Sequence, residues 1–509
     1  MRNVQLAGLI FLLLAGCRTT SDPSATAQRT PGQEAQVSPS APSKDVGAAP
    51  PVTESPISAS ETHTALPAAV SLPDAPLSEE GPWWIFHTYE GIWAGNPDGS
   101  GLTLVLDRSG PGSDTAAYLY APTPAGGLLA LIEIEDQYAM SPPLLRLLSI
   151  PQGQLTPIAQ LHPQAVDPAG GPQADDRWVA SGLWNAMAWS PDGQWLAFNA
   201  VIDGPSGDLY VYSVERDEIS RLSDGPTETV FPVWSPDGER IVHGAVERLY
   251  FGYSGAGYDY SGLWSARVDG SALDLLFATR VNGFEEVLGW LSDTTILLDT
   301  YVPNEMLDCG HRDLRTMDVV THEMRTLLSD RFTAPSYDPK SETLLLAVVD
   351  DPACQQELTP GIYRVDIRSG APPLQVVEDQ AYEIAWSEEA GLFFAATEFG
   401  ALAVDTAGQF IDLVVPEGAF GLPVVAPGSK RLAWTGNELW VGTLQDNLEQ
   451  PPRQIYAARV RAVSWSPDGR QLLFTADAGL FVASEPEFTP VNVIGLGASR
   501  LVWVMPPAK

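Results

Sequence analysis

Metal-binding and nucleophilic side chains are the first places to look for chemistry in this 509-residue chain. No two histidines have a helical or hairpin spacing typical of a metal site; the six are His63, His87, His162, His243, His311 and His322. One segment brings His311 close in sequence to Asp308, Cys309 and Asp313. Carboxylates are common on surfaces and the cysteine has another candidate partner, so we expect no metal site and no cofactor here.

Nucleophilic catalysis also lacks a recognisable signature. A nucleophile elbow needs the pattern Gly-x-Ser-x-Gly, and the segment 252–256, Gly-Tyr-Ser-Gly-Ala, departs from it at the last glycine. No phosphate-binding glycine loop occurs in the sequence. The absence of these motifs predicts that the protein is not an enzyme.

The N-terminus carries a different kind of chemistry, centred on Cys17. A single early positive charge at Arg2 is followed by an apolar run, Leu6 to Leu14, that is too short for a permanent transmembrane helix. The run ends in Leu-Ala-Gly-Cys at 14–17, which resembles the lipobox of bacterial lipoproteins. This resemblance implies that residues 1–17 form a signal peptide ending at Cys17 and that this cysteine takes the lipid.

Composition separates the next segment from the rest of the chain. Residues 18–80 are rich in Pro, Ser, Ala and Thr and lack apolar periodicity, which predicts a disordered tether. The net charge is −36 and the pI about 4.3, so the protein should repel nucleic acid and anionic lipid headgroups. We therefore expect no nucleic-acid partner, and membrane contact only through the lipid anchor, on the outer membrane or the outer face of the plasma membrane.

Residues 81–509 contain short apolar runs separated by turn signals. The sequence Trp-Ser-Pro-Asp-Gly recurs at Trp189–Gly193, Trp234–Gly238 and Trp465–Gly469, and degenerate copies fill the intervals at roughly 40–50 residues. Proline presets the first corner of a turn, aspartate accepts backbone hydrogen bonds, and glycine supplies the positive φ. Each copy therefore predicts a β-hairpin in which the aspartate is structural.

This motif resembles the repeat of TolB-type, WD40-like β-propellers, which also occurs in the propeller domains of prolyl oligopeptidases. The resemblance implies an all-β fold, a single β-propeller of four-stranded blades over residues 81–509. The units favour eight blades, with a range of seven to nine. The strands near Trp84 and the spare strand at Leu501–Val504 should share one blade and close the ring.

We name the four strands of a blade a to d in chain order. In such a ring the motif turns join strands a and b on the bottom face, whereas the loops between strands b and c and the blade-to-blade connections lie on the top face. Five successive units have long b–c loops, which would lie side by side on the top face and which we predict to form the binding surface, called the binding arc below. These loops span 135–143, 203–207, 246–262, 303–312 and 351–361. The third loop interleaves aromatic rings with glycine, and these rings are either binding residues or cover for the adjacent blade; they are Tyr250, Phe251, Tyr253, Tyr258 and Tyr260.

Cys309 and Cys354 fall in equivalent b–c loops of consecutive units. Equivalent loops of neighbouring blades lie on the same face, and an exported location permits oxidation, so we predict a disulfide between them. The alternative is two unrelated buried thiols.

Together these features favour a cell-envelope lipoprotein that acts as a binding or scaffold module for a protein, peptide or glycan on its top face. The alternative is an envelope hydrolase or lyase with a carboxylate site in the channel mouth.

Overall fold

The structure, a computed structural model, describes most of the chain after residue 74. The described residues are 75–88, 90–107, 116–134, 143–161, 187–203, 206–252, 255–279, 283–303, 309–350, 354, 356–411, 413–419, 421–444, 451–495 and 501–507, with the backbone alone at 116–121, 134 and 248–259. The proposed signal peptide, Cys17 and nearly all of the proposed tether lie outside these residues. No helix long and apolar enough to cross a membrane occurs in the part of the chain described.

The described strands form nine four-stranded antiparallel sheets. Blade 1 consists of β36 (Leu501–Val504), β1 (Trp83–Thr88), β2 (Gly91–Gly95) and β3 (Thr103–Asp107). Blade 2 consists of β4 (Ala116–Pro122), β5 (Leu128–Ile134), β6 (Leu144–Ser149) and β7 (Leu155–Gln160). Blade 3 consists of β8 (Met187–Trp189), β9 (Trp195–Ala200), β10 (Asp208–Ser213) and β11 (Glu218–Arg221).

The next three blades contain the residues discussed most below. Blade 4 consists of β12 (Glu228–Trp234), β13 (Arg240–Gly252), β14 (Gly255–Arg267) and β15 (Leu273–Ala278). Blade 5 consists of β16 (Phe284–Trp290), β17 (Thr295–Val302), β18 (His311–Asp318) and β19 (Met324–Asp330). Blade 6 consists of β20 (Thr333–Asp338), β21 (Thr343–Val348), β22 (Gly361–Asp366) and β23 (Leu374–Val377).

Three further blades complete the ring. Blade 7 consists of β24 (Ala381–Ser387), β25 (Leu392–Thr397), β26 (Gly400–Val404) and β27 (Phe410–Ile411). Blade 8 consists of β28 (Val424–Val425), β29 (Arg431–Thr435), β30 (Leu439–Thr443) and β31 (Arg453–Tyr456). Blade 9 consists of β32 (Val460–Trp465), β33 (Gln471–Ala476), β34 (Gly479–Ser484) and β35 (Thr489–Ile494).

The protein is therefore a nine-bladed β-propeller. Nine blades lie within the predicted range of seven to nine and are one more than the favoured eight. The predicted closure is confirmed, because β1 pairs with β36 and places Trp84 opposite Trp503. The C-terminal strand is thus the first strand of a blade whose other three strands come from the N-terminal side, and this leaves no open edge between them.

The hydrophobic core is divided into nine layers, one between each pair of neighbouring blades. The layer between blades 9 and 1 packs Leu473 and Leu480 against Trp84 and Phe86, all of them buried. Alternate residues of each strand enter opposite layers, which is why the inner strands are apolar on both faces. An unbroken series of layers shows that the ring is closed.

The serine and aspartate of each motif hold its turn in shape, as the first copy shows. In the turn Trp189–Gly193, the hydroxyl of Ser190 donates to Asp192 at 2.6 Å, and the same carboxylate accepts the backbone N–H of Gln194 at 3.0 Å. Gly193 adopts a φ of 71°, as the turn requires. The carboxylate is occupied by these bonds, which confirms its structural role.

The motif tryptophans connect the first strands of adjacent blades. The indole N–H of Trp234 donates to the carbonyl of Ala188 at 2.9 Å, and that of Trp465 donates to the carbonyl of Val424 at 3.0 Å. First strands of neighbouring blades also contact each other directly, as β20 and β24 do. These contacts place the first strand of each blade closest to the central channel.

Candidate functional site

The top face carries its largest elaboration on blade 4. The segment 246–262 was predicted as a loop, but the structure continues β13 and β14 through most of it as a two-stranded ribbon. Tyr250 pairs with Gly257, Phe251 with Ala256, and Gly252 with Gly255 at the tip. Aromatic residues favour extended strands, and glycines allow the tight reversal, so the ladder continues beyond the blade. We call residues 247–259 the arm.

The arm carries most of the aromatic residues proposed for binding. Tyr250 and Phe251 lie in β13, Tyr258 lies in β14, and Tyr260 is half-buried at its base. Tyr253 lies outside the described residues. Six residues of β13 follow Val246, and at about 3.3 Å per residue they extend roughly 20 Å beyond the blade. A binding role for these aromatic residues stays a prediction.

A disulfide joins the top of blade 5 to the top of blade 6. Cys309 and Cys354 are bonded with a Cα–Cα distance of 5.3 Å, which is the pairing predicted from the sequence. The bond leaves Cys309 without a free thiol, so it is not a metal ligand alongside His311. In the part of the chain described, no group of three or more His, Cys, Asp or Glu side chains is arranged to hold a metal ion.

The bond fastens two of the long loops predicted to form the binding arc. Segments 304–308 and 351–353 of these loops lie outside the described residues, as do 135–142 and 204–205 of two others. The disulfide nevertheless constrains both loops, because each contributes one half-cystine.

Buried acidic residues cluster at the top end of blade 5, beside the disulfide. Glu285 on β16 accepts a 2.5 Å hydrogen bond from the hydroxyl of Thr300 on β17. Thr300 pairs across the sheet with Asp313 on β18, whose carboxylate accepts a hydrogen bond from Arg315. His311, at the start of the same strand, has its Nε2 atom 3.4 Å from Asp313 Oδ1. These residues form one polar layer on one face of the blade.

A second polar layer occupies the opposite face of the same blade. Asp299, fully buried, forms a two-pronged ion pair with Arg312: Nε lies 2.8 Å from Oδ1, and Nη2 lies 2.6 Å from Oδ2. The Arg312 guanidinium also lies 5.3 Å from the ring centre of Phe284. Glu286 lies 4.0 Å from the same guanidinium and is 32% exposed, on the strand nearest the channel. It is therefore the carboxylate of this layer that solvent reaches.

Burial perturbs the acid–base behaviour of this cluster. It raises the pKa of Glu285 to about 7, against a lowering by the Thr300 hydroxyl and the Arg315 charge. Glu286 is partly exposed, yet the burial of the rest of its side chain raises its pKa to about 6, and the nearby Asp299 adds to the rise. Carboxyl groups with pKa values near neutrality can hold or release a proton at physiological pH. The top of blade 5 is thus a site where acid–base chemistry is possible.

Sequence reasoning missed these residues, although two signals mark them. Glu285 and Glu286 stand together at the beginning of an apolar strand, which breaks the expected alternation. Asp299 directly follows the apolar residues Ile296–Leu298 in a strand that is almost entirely buried. A charged residue in a buried strand needs a partner of opposite charge, and Arg312 on the next strand is such a partner for Asp299.

Sequence comparisons with known proteins match a small part of the chain. No family model matches the chain. A curated relative, an uncharacterized peptidase named YuxL from Bacillus subtilis (strain 168), is 46% identical over 54 residues, which is 11% of this chain and 8% of that protein. The matching segment thus spans a small part of the relative.

The fold recurs in a solved structure of low sequence identity. A eukaryotic initiation factor, 12% identical, has a TM-score of 0.52 and covers 84% of this chain and 100% of its own. Dipeptidyl peptidase 4 of Porphyromonas gingivalis is 10% identical with a TM-score of 0.49, covering 74% of this chain and 58% of its own. TolB of Acinetobacter baumannii is 13% identical with a TM-score of 0.28, covering 64% and 61%.

The chain is a nine-bladed β-propeller protein whose recurrent Trp-Ser-Pro-Asp-Gly turns resemble those of TolB-like repeats. The prediction that it is not an enzyme is contradicted, because the curated relative that it matches is named as a peptidase. That prediction rested on missing motifs. Missing motifs do not exclude a carboxylate site such as the one at the top of blade 5, which has no sequence signature of its own.

Proposed function

We propose that this protein is a cell-envelope lipoprotein whose propeller binds a protein or peptide partner on its top face. The observation that carries the proposal is the concentration of added structure on three consecutive blades. The arm rises from blade 4, and the disulfide fastens the loops of blades 5 and 6. Long, preorganised segments on a rigid scaffold bind partners at a lower entropic cost than mobile loops do.

A test compares the two faces of blade 4. In an otherwise full-length Cys17→Ser protein, the arm is replaced by an Asn-Gly turn that joins Val246 to Tyr260, which are already paired. The control inserts Asn-Gly after Gly270, in the bottom turn of the same blade, where a side chain would meet open space. Both proteins are screened against the same library of random 12-residue peptides.

We expect the arm replacement to lose peptides that the control retains, with both proteins unfolding at the same temperature. Equal binding by the two proteins, or loss in the control alone, would overturn the proposal.

The lipid anchor is tested separately. We expect Cys17→Ser to move the protein from the membrane fraction to the soluble fraction, because the variant lacks the thiol that would carry the lipid. A variant that stays membrane-bound as tightly as the parent protein would contradict lipidation at Cys17.

A second candidate function, an envelope hydrolase or lyase, is favoured by the raised pKa values of Glu285 and Glu286. In such an enzyme the more exposed Glu286 would be the acid or base that meets the substrate. On a panel of chromogenic peptides and glycosides, we expect Glu286→Gln to lower any turnover at least a hundredfold and the exposed bottom-face control Glu215→Gln to leave it unchanged. Equal turnover in both variants would exclude this role.

A further inference from the structure

Blade 7 exposes two aromatic side chains at its top end, where the ring offers them no core to enter. Phe399 is 78% exposed and Tyr382 is 62% exposed. Phe399 stands at the tip of a tight turn: its N–H donates to Thr397 Oγ1 at 3.2 Å, and that hydroxyl donates to the carbonyl of Gly400 at 3.0 Å. These bonds fix the backbone of the turn, which carries the phenyl side chain into solvent.

The exposed surface continues onto blade 6. Val349, just after β21, is 40% exposed. The next residue, Asp350, donates its N–H to Gln380 Oε1 at 3.1 Å, and Gln380 lies two residues before Tyr382. This bond connects the top end of blade 6 to the residue that precedes the first strand of blade 7. We call Val349, Tyr382 and Phe399 the blade-7 patch.

Acidic residues surround the patch. Asp350, Glu378, Asp379 and Glu398 are all exposed, and none of them forms an ion pair with another described residue. The chain between Arg368 and Lys430 contains nine Asp or Glu residues and not one Lys or Arg. Cations from elsewhere in this segment therefore cannot neutralise the four exposed carboxylates, which favour a cationic partner.

We propose that the blade-7 patch docks an arginine-containing basic segment of a protein or peptide. A guanidinium group stacks on aromatic faces and also pairs with carboxylates, and this surface presents both within one blade. The negative charge disfavours anionic lipid and nucleic acid. The inference rests on the proposed function of the top face and names the chemistry of its partner.

The test measures binding of a labelled nine-residue peptide of alternating arginine and serine to the full-length Cys17→Ser protein. Phe399→Ala and Tyr382→Ala should each weaken binding about tenfold, as loss of one cation–π contact predicts. Phe410→Ala is the matched control, because Phe410 is a 49% exposed aromatic residue at the bottom end of the same blade. Its affinity should equal that of the parent protein, and binding should weaken as salt is added.

Other outcomes decide against the inference. It is overturned if the arginine peptide binds no better than a glutamate–serine peptide, or if Phe399→Ala and Phe410→Ala have equal effects. It is also overturned if Phe399→Ala instead abolishes self-association or binding to phosphatidylcholine vesicles. If arginine-peptide binding survives both patch variants and is lost on replacing the arm, the patch is wrong and the top-face function stands. If arginine-peptide binding survives Phe399→Ala, Tyr382→Ala and the replacement of the arm, both proposals fail.

Discussion

Glu285 gives the most quantitative test of the polar cluster in blade 5. In the folded protein its carboxyl group has a pKa of about 7, raised from 4.5 by burial. It is therefore protonated when folded but ionised when unfolded at intermediate pH, so the folded state loses stability as the pH rises from about 4.5 to about 7. A pKa shift of this size corresponds to a decrease of about 3 kcal/mol in the free energy of unfolding, which is complete above about pH 7.

The variant Glu285→Gln removes the titration and keeps an oxygen that can accept the Thr300 hydroxyl. We expect it to match the parent protein at pH 4.5 and to exceed its stability at pH 8 by up to about 3 kcal/mol. Urea unfolding at both pH values, followed by tryptophan fluorescence, measures the difference. The exposed Glu398→Gln serves as the control.

An equal effect of Glu285→Gln at both pH values would refute this reasoning. So would a loss of stability that grows with pH, because it would show that the ionised carboxylate is stabilised by Arg315 rather than penalised by burial.

Three further experiments test the framework. Gly238→Ala should lower the free energy of unfolding by about 1 kcal/mol for its positive φ alone, since the nearest atom to a Cβ there is 3.9 Å away. Gly193→Ala should lower it by at least twice as much, because its Cβ would lie 2.4 Å from Thr123 Oγ1 of the neighbouring blade. Equal losses in urea unfolding would contradict this inter-blade contact. Trp465→Phe should cost about 1 kcal/mol for the lost bond to the carbonyl of Val424, and an unchanged unfolding midpoint would count against that bond. Reduction of the disulfide should lower stability by about 4 kcal/mol, measured against the unreduced protein, and no change in the midpoint would argue that the two loops are held by other contacts.

The fold was largely predictable because its signals are local. A Trp-Ser-Pro-Asp-Gly sequence such as Trp465–Gly469 encodes a turn through the φ preference of proline and glycine, and no distant residue is needed to interpret it. Ring closure by Leu501–Val504 was also accessible, since one strand was left over at one end of the chain and one was missing at the other. The blade count was less certain because the degenerate units carry weak turns.

The site was mostly hidden because it depends on contacts across strands. Nothing in the sequence near Asp299 shows that Arg312 will reach it, since that contact follows from the register of β17 and β18. Glycine and aromatic residues in 246–262 suggested a loop, but ladder pairing satisfied the backbone better than solvent did. The exposure of Phe399 likewise depends on a three-dimensional turn, because phenylalanine is usually buried.

The central claim is that the top face of this propeller is its binding face. The most direct measurement places a photo-crosslinking phenylalanine analogue at Phe399, on the top of blade 7, or at Phe410, on its bottom, in cells that produce the full-length protein. We expect a specific adduct from Phe399 whose cross-linked segment, identified by mass spectrometry, is rich in arginine. An adduct from Phe410 in equal or greater yield, or an acidic segment at Phe399, would contradict it.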